Sequence, residues 1–377
     1  MKTAVQVMLL LILLGVSLAN NYLPIPANAD ASSNAQARDF YLGVTFGGNT
    51  TQAGKVLIDR VKDYTNVFVM DSTQILRNET AFVELGDYVV NAGLHLIVYF
   101  PIIRDGNLTG ARFETATERW GDKLLGIYLY DEPGGKQLNC GTWAGEQYGP
   151  AFNVTTYSEA ATQYVTQVSD LPGMSSLKSL GIPVFTADFG LYWFDYLAGY
   201  DCVLAEFGWN NSRPLQVAMV RGAANVQQKQ WGVIITWEYM QPPFIEDGQK
   251  LLDDMMFAYN SGAQYVIVFN YPQSGEYGIL QNEHFEAMKQ FWNNIHGETH
   301  TASHPLQVEI VLVLPKDYGC AMMIPNDSVW GVWPCDDIAI QVSEKILSLF
   351  SSQGQTVDIV YNDPRFNLET EYTQIYF

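Results

Sequence analysis

Positive charge is scarce in this chain. Twenty Lys and Arg stand against 40 Asp and Glu in 377 residues, a formal net charge of −20. Nucleic-acid binders need the opposite sign, because neutralising phosphates drives their affinity, so that class is excluded. Nor is there a basic patch to grip anionic lipid. The expected partner is neutral, cationic, or a polymer read by aromatic faces. Cysteine is also sparse, at four residues, and no Cys-x-x-Cys occurs, so zinc is not suggested. Cys320 and Cys335 lie close together in a loop-rich stretch. In an oxidising compartment they could form a disulfide contributing about 3 kcal/mol; the alternative is two buried thiols. Apolar surface is not lacking: 48% of residues are hydrophobic and 13% aromatic. This excludes a disordered chain, and the length suits one large barrel or two to three domains.

Long apolar runs are missing except near the start, where Val7–Ala19 follows Met1-Lys2. That run is too short for a bilayer that needs about 20 residues, and it has the pattern of a secretory signal. Cleavage would follow Ala19 or, better, Ala29, giving a signal over residues 1–29; an uncleaved anchor is the alternative. Either way the body is expected outside the cytoplasm, secreted or cell-surface associated. Six Asn-x-Ser/Thr sequons, at Asn49, Asn78, Asn107, Asn153, Asn210 and Asn326, agree with a glycoprotein.

One theme repeats over residues 30–295. A short apolar, β-branched or aromatic run ends in a polar or Gly/Pro turn, and a longer amphipathic segment follows. The runs are Tyr41–Phe46, Asn66–Met70, His95–Phe100, Leu125–Tyr130, Pro183–Ala187, Cys202–Phe207, Gly232–Trp237 and Gln264–Phe269. Helical spacing marks Ala53–Tyr64, Ala81–Ala92, Tyr157–Val168, Leu215–Gln228 and Gly248–Ser261. Strands alternating with helices imply parallel pairing, and eight such units fit an α/β fold of the closed (β/α)8 (TIM) type. An open doubly wound sheet would want a Gly-rich phosphate turn after the first strand. The stretch Gly47–Lys55 lacks it: Asn49 replaces the first required Gly and Val56 the Ser/Thr that would hold magnesium.

Residues 296–306 contain His296, His300 and His304 at a spacing of four, which on a helix could bind metal. Gly297, Pro305 and the Ser/Thr content favour a solvated linker, and no metal is expected. Beyond it, a strand Val308–Leu314, a helix Asp336–Ser351 and a strand Thr356–Tyr361 make residues 307–377 a small α/β accessory unit. It is too small to bury a core alone and so packs on the barrel.

In such a barrel, function sits at the carboxyl ends of the strands. There the sequence delivers Asp71, Pro101, Asp131-Glu132-Pro133, Asp188 with Tyr192-Trp193, Glu206 with Trp209, Trp237-Glu238-Tyr239, and Asn270-Tyr271. Aromatic faces stack on pyranose rings and carboxylates accept their hydroxyls. Breaking a glycosidic bond needs two carboxyl groups, about 5–5.5 Å apart for retention and about 6.5–9.5 Å for inversion. Strands four and seven face one another across the mouth. If Glu132 points inward, Tyr130 and Tyr128 share its side and Asp131 is at the tip or turned away. Glu238 shares its side with Thr236 and Ile234, leaving Trp237 outward as packing.

The motifs Tyr130-Asp131-Glu132-Pro133 and Ile235-Thr236-Trp237-Glu238-Tyr239 resemble those of clan-A glycoside hydrolases, the four/seven superfamily of (β/α)8 enzymes. The resemblance implies Glu132 as acid/base and Glu238 as nucleophile. It departs at Asp131, where the family usually has the Asn that contacts the sugar 2-hydroxyl. The C-terminal unit is similar to accessory α/β domains on some such barrels. Barrel-type chitinases fit less well, because Tyr128 and Tyr130 replace their inner acids. The expectation is a secreted, retaining hydrolase of a poly- or oligosaccharide, with no cofactor. Its substrate contacts would come from Asp71, Tyr130, Asp131, Asp188, Tyr192, Trp193, Glu206, Trp209, Tyr239, Asn270 and Tyr271. The alternatives are a transglycosylase or an inactive carbohydrate-binding or surface-associated barrel. Residue by residue, Glu132 could instead cap the following helix, and Glu238 could be a structural acid bonded to Tyr or Arg.

Overall fold

The computed structural model describes residues 39–101, 106–139, 153–272, 275–297, 308–321, 327–353 and 356–377. The expected signal, most of the expected linker, Cys140 and Asn326 lie outside these residues. Asp39–Phe377 form one compact unit.

Eight parallel strands close into a barrel in sequence order: β1 (Tyr41–Phe46), β2 (Val67–Met70), β3 (His95–Phe100), β4 (Leu124–Leu129), β5 (Val184–Asp188), β6 (Cys202–Phe207), β7 (Gln230–Ile235) and β8 (Tyr265–Val268). β1 pairs with both β2 and β8, so the barrel has no free edge. Each strand is buried on both faces, which is why it reads as a near-continuous apolar run. Alternation then decides which side chains fill the barrel. Val67, Val69, Ile97, Tyr128, Phe185, Ala187, Cys202, Leu204, Ile234, Tyr265 and Ile267 form the interior stack. Their neighbours Phe68, Met70, Ile127, Leu129, Val203, Ala205, Val233 and Ile235 face the helices. Each such buried aliphatic or aromatic side chain contributes about 1.5–3 kcal/mol of burial free energy.

The helices start where the sequence supplies caps. Thr50 accepts the Ala53 N–H (3.2 Å) ahead of Thr51–Val61, and Asp247 accepts the Lys250 N–H (2.9 Å) ahead of Gly248–Asn260. The main boundary difference from the sequence reading is β7, which ends at Ile235 rather than Trp237. The ladder stops because the Trp237 carbonyl accepts the Trp209 N–H (2.8 Å) and the Glu238 N–H donates to Phe244 (2.8 Å) in a local turn. Glu238 therefore lies past the pleat, where alternation no longer places it.

The C-terminal unit is a parallel three-stranded sheet of order β10-β9-β11, with β9 (Ile310–Leu314), β10 (Val357–Tyr361) and β11 (Gln374–Tyr376). β11 was not expected from the sequence. The unit packs on the barrel helix Arg213–Gln227, where the Arg221 guanidinium donates to buried Asp358 (2.7 Å) and Tyr372 donates to the same carboxylate (2.9 Å). Cys320 is buried and Cys335 half-buried, and the two are not joined to each other.

Candidate active site

The strand ends build a pocket of about 200 Å³, lined by Thr45, Asp71, Tyr99, Tyr128, Asp131, Glu132, Glu206, Thr236, Trp237, Phe269 and Tyr271 above Val69 and Ile234. Most of these continue the interior parity: Asp71 above Val69, Tyr99 above Ile97, Glu206 above Leu204, Thr236 above Ile234 and Phe269 above Ile267. The volume is below the roughly 300–1,000 Å³ of drug-sized pockets and suits one sugar ring rather than a chain of them.

At the end of β4 the backbone is forced out of the pleat. Tyr130 and Glu132 both adopt left-handed conformations (φ 59° and 50°), each costing about 1–3 kcal/mol. Strong anchors hold them. Thr186 donates to the Tyr130 carbonyl (2.8 Å), Tyr200 donates to that of Leu129 (2.9 Å), and the Glu132 N–H donates to Ala187 (3.0 Å). The helix Pro133–Leu138 begins directly after Glu132, yet the Glu132 side chain does not cap it. Asp188 does: its carboxylate accepts the N–H groups of Gly134 (2.5 Å) and Gly135 (2.8 Å), and also those of Phe189 (2.7 Å) and Gly190 (3.2 Å). Position 134 must be glycine, since a Cβ there would lie 2.5 Å from the Gly190 carbonyl oxygen. Asp188 thus frees the Glu132 carboxyl for the pocket.

Four carboxyls converge there, and burial raises all of them. Glu132 and Glu206 influence each other closely, and two neighbouring carboxyls favour holding a proton between them. Burial, the neighbouring Asp131 and the more distant Asp188 push Glu132 up to about 8, against the Lys136 charge and the Glu206 bond. Glu206 is raised well above the usual carboxylate range by burial and then by Glu132. Asp71, enclosed and facing Asp131, is likewise raised well above it. Asp131 has the most support as an anion: the Lys136 charge and the hydroxyl of Tyr128 oppose its burial. Aromatic rings form the remaining wall. Tyr99 stands edge-on to Tyr128 (centroids 5.0 Å), and Trp237 packs against Phe269 (5.3 Å) and half-exposed Tyr271 (5.7 Å).

Of the residues expected at the site, Asp71, Asp131, Glu132, Glu206 and Tyr271 line the pocket. Glu238 does not. Its carboxylate pairs with Arg213 (3.2 Å), which also holds Glu246 (3.1 Å) and Asp254 (2.9 Å), with Lys250 bridging Glu246 and Asp254. This is the structural-acid alternative, reached because the chain turns after Ile235 and a buried guanidinium draws the carboxylate to itself. Trp237, expected to face outward, lines the pocket for the same reason. Tyr130 is buried outside the lining with Lys136 over its ring (4.6 Å). Asp188 serves the turn. Tyr192 is buried and donates to Gln216, and Trp193 is buried against Tyr361 and Phe366 of the C-terminal unit. Asn270 is buried, and its side-chain oxygen accepts the Ile279 N–H (3.1 Å). Trp209 and Tyr239 are exposed and outside the lining. The sequence reading missed Thr45, Tyr99, Thr236 and Phe269; extending each strand's parity by one more step would have found them. Among the described residues, no group of three or more His, Cys, Asp or Glu is arranged to hold a metal ion.

No protein-family model matches the chain. No curated protein matches it either. Solved structures similar to it are distant. A β-1,3-glucanosyltransferase of Rhizomucor miehei, solved with laminaritriose, is 15% identical over 65% of this chain and 94% of its own, with a TM-score of 0.41. A spore coat polysaccharide biosynthesis protein of Bacillus subtilis is 10% identical over 68% of each chain, with a TM-score of 0.40. A 3-hexulose-6-phosphate synthase of Salmonella typhimurium is 11% identical over 68% of this chain and all of its own, with a TM-score of 0.38. The class that fold and site define is a (β/α)8 protein with an acidic, aromatic-walled pocket at the strand C-termini.

Proposed function

We propose that this protein is a carbohydrate-active enzyme that breaks glycosidic bonds of a poly- or oligosaccharide, with Glu132 as the proton donor. The observation that carries the reading is the adjacent pair Asp131 and Glu132 at one pocket edge. Burial and its neighbours keep Glu132 protonated at neutral pH, while Tyr128 and Lys136 favour charge on Asp131. Two acids pushed apart in this way take the roles of acid and anion. A pyranose stacked on Trp237 and Tyr271 presents its glycosidic oxygen to Glu132. Proton transfer from Glu132 releases the leaving sugar as an alcohol, and the Asp131 carboxylate stabilises the positive charge developing at C1. Water then adds to C1 and gives its proton to the ionised Glu132, which restores the enzyme. Because the same residue gives and takes the proton, retention of configuration is expected, readable by NMR of the first product.

Glu132→Gln is expected to cut hydrolysis of an unactivated glycan by about 10²–10⁴-fold. The loss should be smaller on an aryl glycoside whose leaving group needs no proton. Glu238→Gln should keep kcat within a few-fold. Full activity in Glu132→Gln would remove the reading. On this proposal the N-terminal apolar run exports the protein to where such polymers are found.

A further inference from the structure

The pocket holds more acid than glycosidic chemistry uses. Breaking the bond needs two carboxyls, and the lining supplies Asp71, Asp131, Glu132 and Glu206. No lining residue is Lys, Arg or His. Lys136, on the helix after β4, is turned to the Asp131 carbonyl and the Tyr130 ring. One polar atom of the lining has nothing to bind. The Glu132 Oε2 atom is buried without a hydrogen-bond partner. The Asp71 carboxyl, which burial and the Asp131 charge hold above the usual carboxylate range, stands beside it in the lining. Beside them stand the faces and edges of Tyr99, Tyr128, Trp237, Phe269 and Tyr271. Several acids beside aromatic rings, with no cation in the lining, are what an organic cation needs, since the ring faces attract its charge and the carboxylates accept its N–H groups.

We propose that the sugar ring bound in this pocket carries a protonated amine, an amino-pyranose such as glucosamine in a β-linked oligomer. This rests on the reading of the pocket as a sugar site and names its substrate class. The ammonium lies among Asp71, Asp131 and the ring of Tyr99 or Tyr128, and the pyranose face lies on Trp237 or Tyr271. It replaces protons that the crowded carboxyls otherwise share. The titratable groups facing the ammonium are Asp71 after β2, Tyr99 on β3, Tyr128 on β4 with Asp131 and Glu132 just past it, and Glu206 on β6, with Lys136 and Asp188 behind them. β1 contributes Thr45, and the segments after β7 and β8 contribute Thr236, Trp237, Phe269 and Tyr271. Binding at neutral pH should therefore release protons, because the raised carboxyls are driven to ionise.

The test is isothermal titration of the full chain at pH 7 in 0.3 M salt, in two buffers of different ionisation heat. The probes are a fully deacetylated glucosamine tetramer, its N-acetylated form, cellotetraose and tetralysine. The glucosamine tetramer is expected to bind one to one, at least tenfold tighter than the other three, with proton release. Asp71→Asn should narrow that ratio. Equal affinity for cellotetraose, absent proton release, or tetralysine binding as tightly would overturn the inference; the last result would assign the effect to the chain's overall negative charge. If neutral glycan is cleaved in a Glu132-dependent way without any advantage to the amine, this inference falls and the enzyme reading stands. If the amine is preferred but Glu132→Gln cleaves normally, the reverse holds.

Discussion

Asp131 and Glu132 are chain neighbours to which the proposed mechanism gives opposite tasks, and the difference comes from what surrounds each carboxyl. Tyr128 donates to Asp131, whereas Glu132 stands against Glu206 and keeps one oxygen unpartnered. As the donor must be protonated, activity should persist below about pH 8 and fall as pH rises through that value. Asp131→Asn removes a charge that raises Glu132, so in its kcat/KM profile the alkaline limb should move to lower pH; an unmoved limb would separate the two residues. Asp71 gives a stability test of the same physics. A carboxyl raised on folding costs stability above its ordinary pKa, with the cost growing until pH passes the raised value. Asp71→Asn should therefore raise Tm at pH 8, by an amount that shrinks towards pH 4, as read by calorimetry.

Elements fix these side chains by parity and by where the parity stops. β6 remains pleated through Phe207, so Glu206 enters the pocket above Leu204. β7 stops at Ile235, and the following turn delivers Trp237 instead of Glu238. Arg213 holds that turn from below through Glu238 and Glu246, and it also donates to the Gly208 and Asn211 carbonyls. The aromatic wall thus depends on an ion cluster that the chemistry never touches. A second buried pair, Arg221–Asp358, ties the helix Arg213–Gln227 to β10. Arg221→Met leaves that aspartate buried without its partner and should cost about 3–5 kcal/mol in urea unfolding. A shift under 1 kcal/mol would mean that the C-terminal sheet adds little to the barrel.

For the molecule as a whole, the C-terminal sheet is a cover for one side of the barrel rather than a second catalytic body. Trp193 lies beneath it, and Gln137, on the helix after Glu132, donates to the Trp330 carbonyl (2.8 Å). No helix among the described residues is long and apolar enough to cross a membrane. The sequons at Asn49, Asn78, Asn153 and Asn210 are at exposed positions. Expressed in a secreting, glycosylating host, the protein should emerge with its N-terminus after Ala19 or Ala29 and with glycan mass on these asparagines, both read by peptide mass spectrometry. An intact Met1 on the exported chain would argue for the uncleaved anchor.

What the sequence by itself determined is what repeats: eight apolar runs, most but not all of them spaced alike, the polar punctuation between them, and the acids and aromatics at their ends. Burial on both faces of a parallel strand writes itself into composition, so the (β/α)8 barrel, Glu132, Asp131, Glu206 and Asp71 were legible. The destinations of side chains past the last paired residue were not, because beyond the ladder no period constrains them. Whether Glu238 faces a sugar or Arg213, whether Trp193 is wet or covered by β10, and whether Asp188 binds substrate or caps a helix depend on partners 25 to 173 residues away in the chain. Only the closed structure brings those partners into reach, and hydrogen bonds and ion pairs of a few ångströms then decide which acid keeps its place at the pocket.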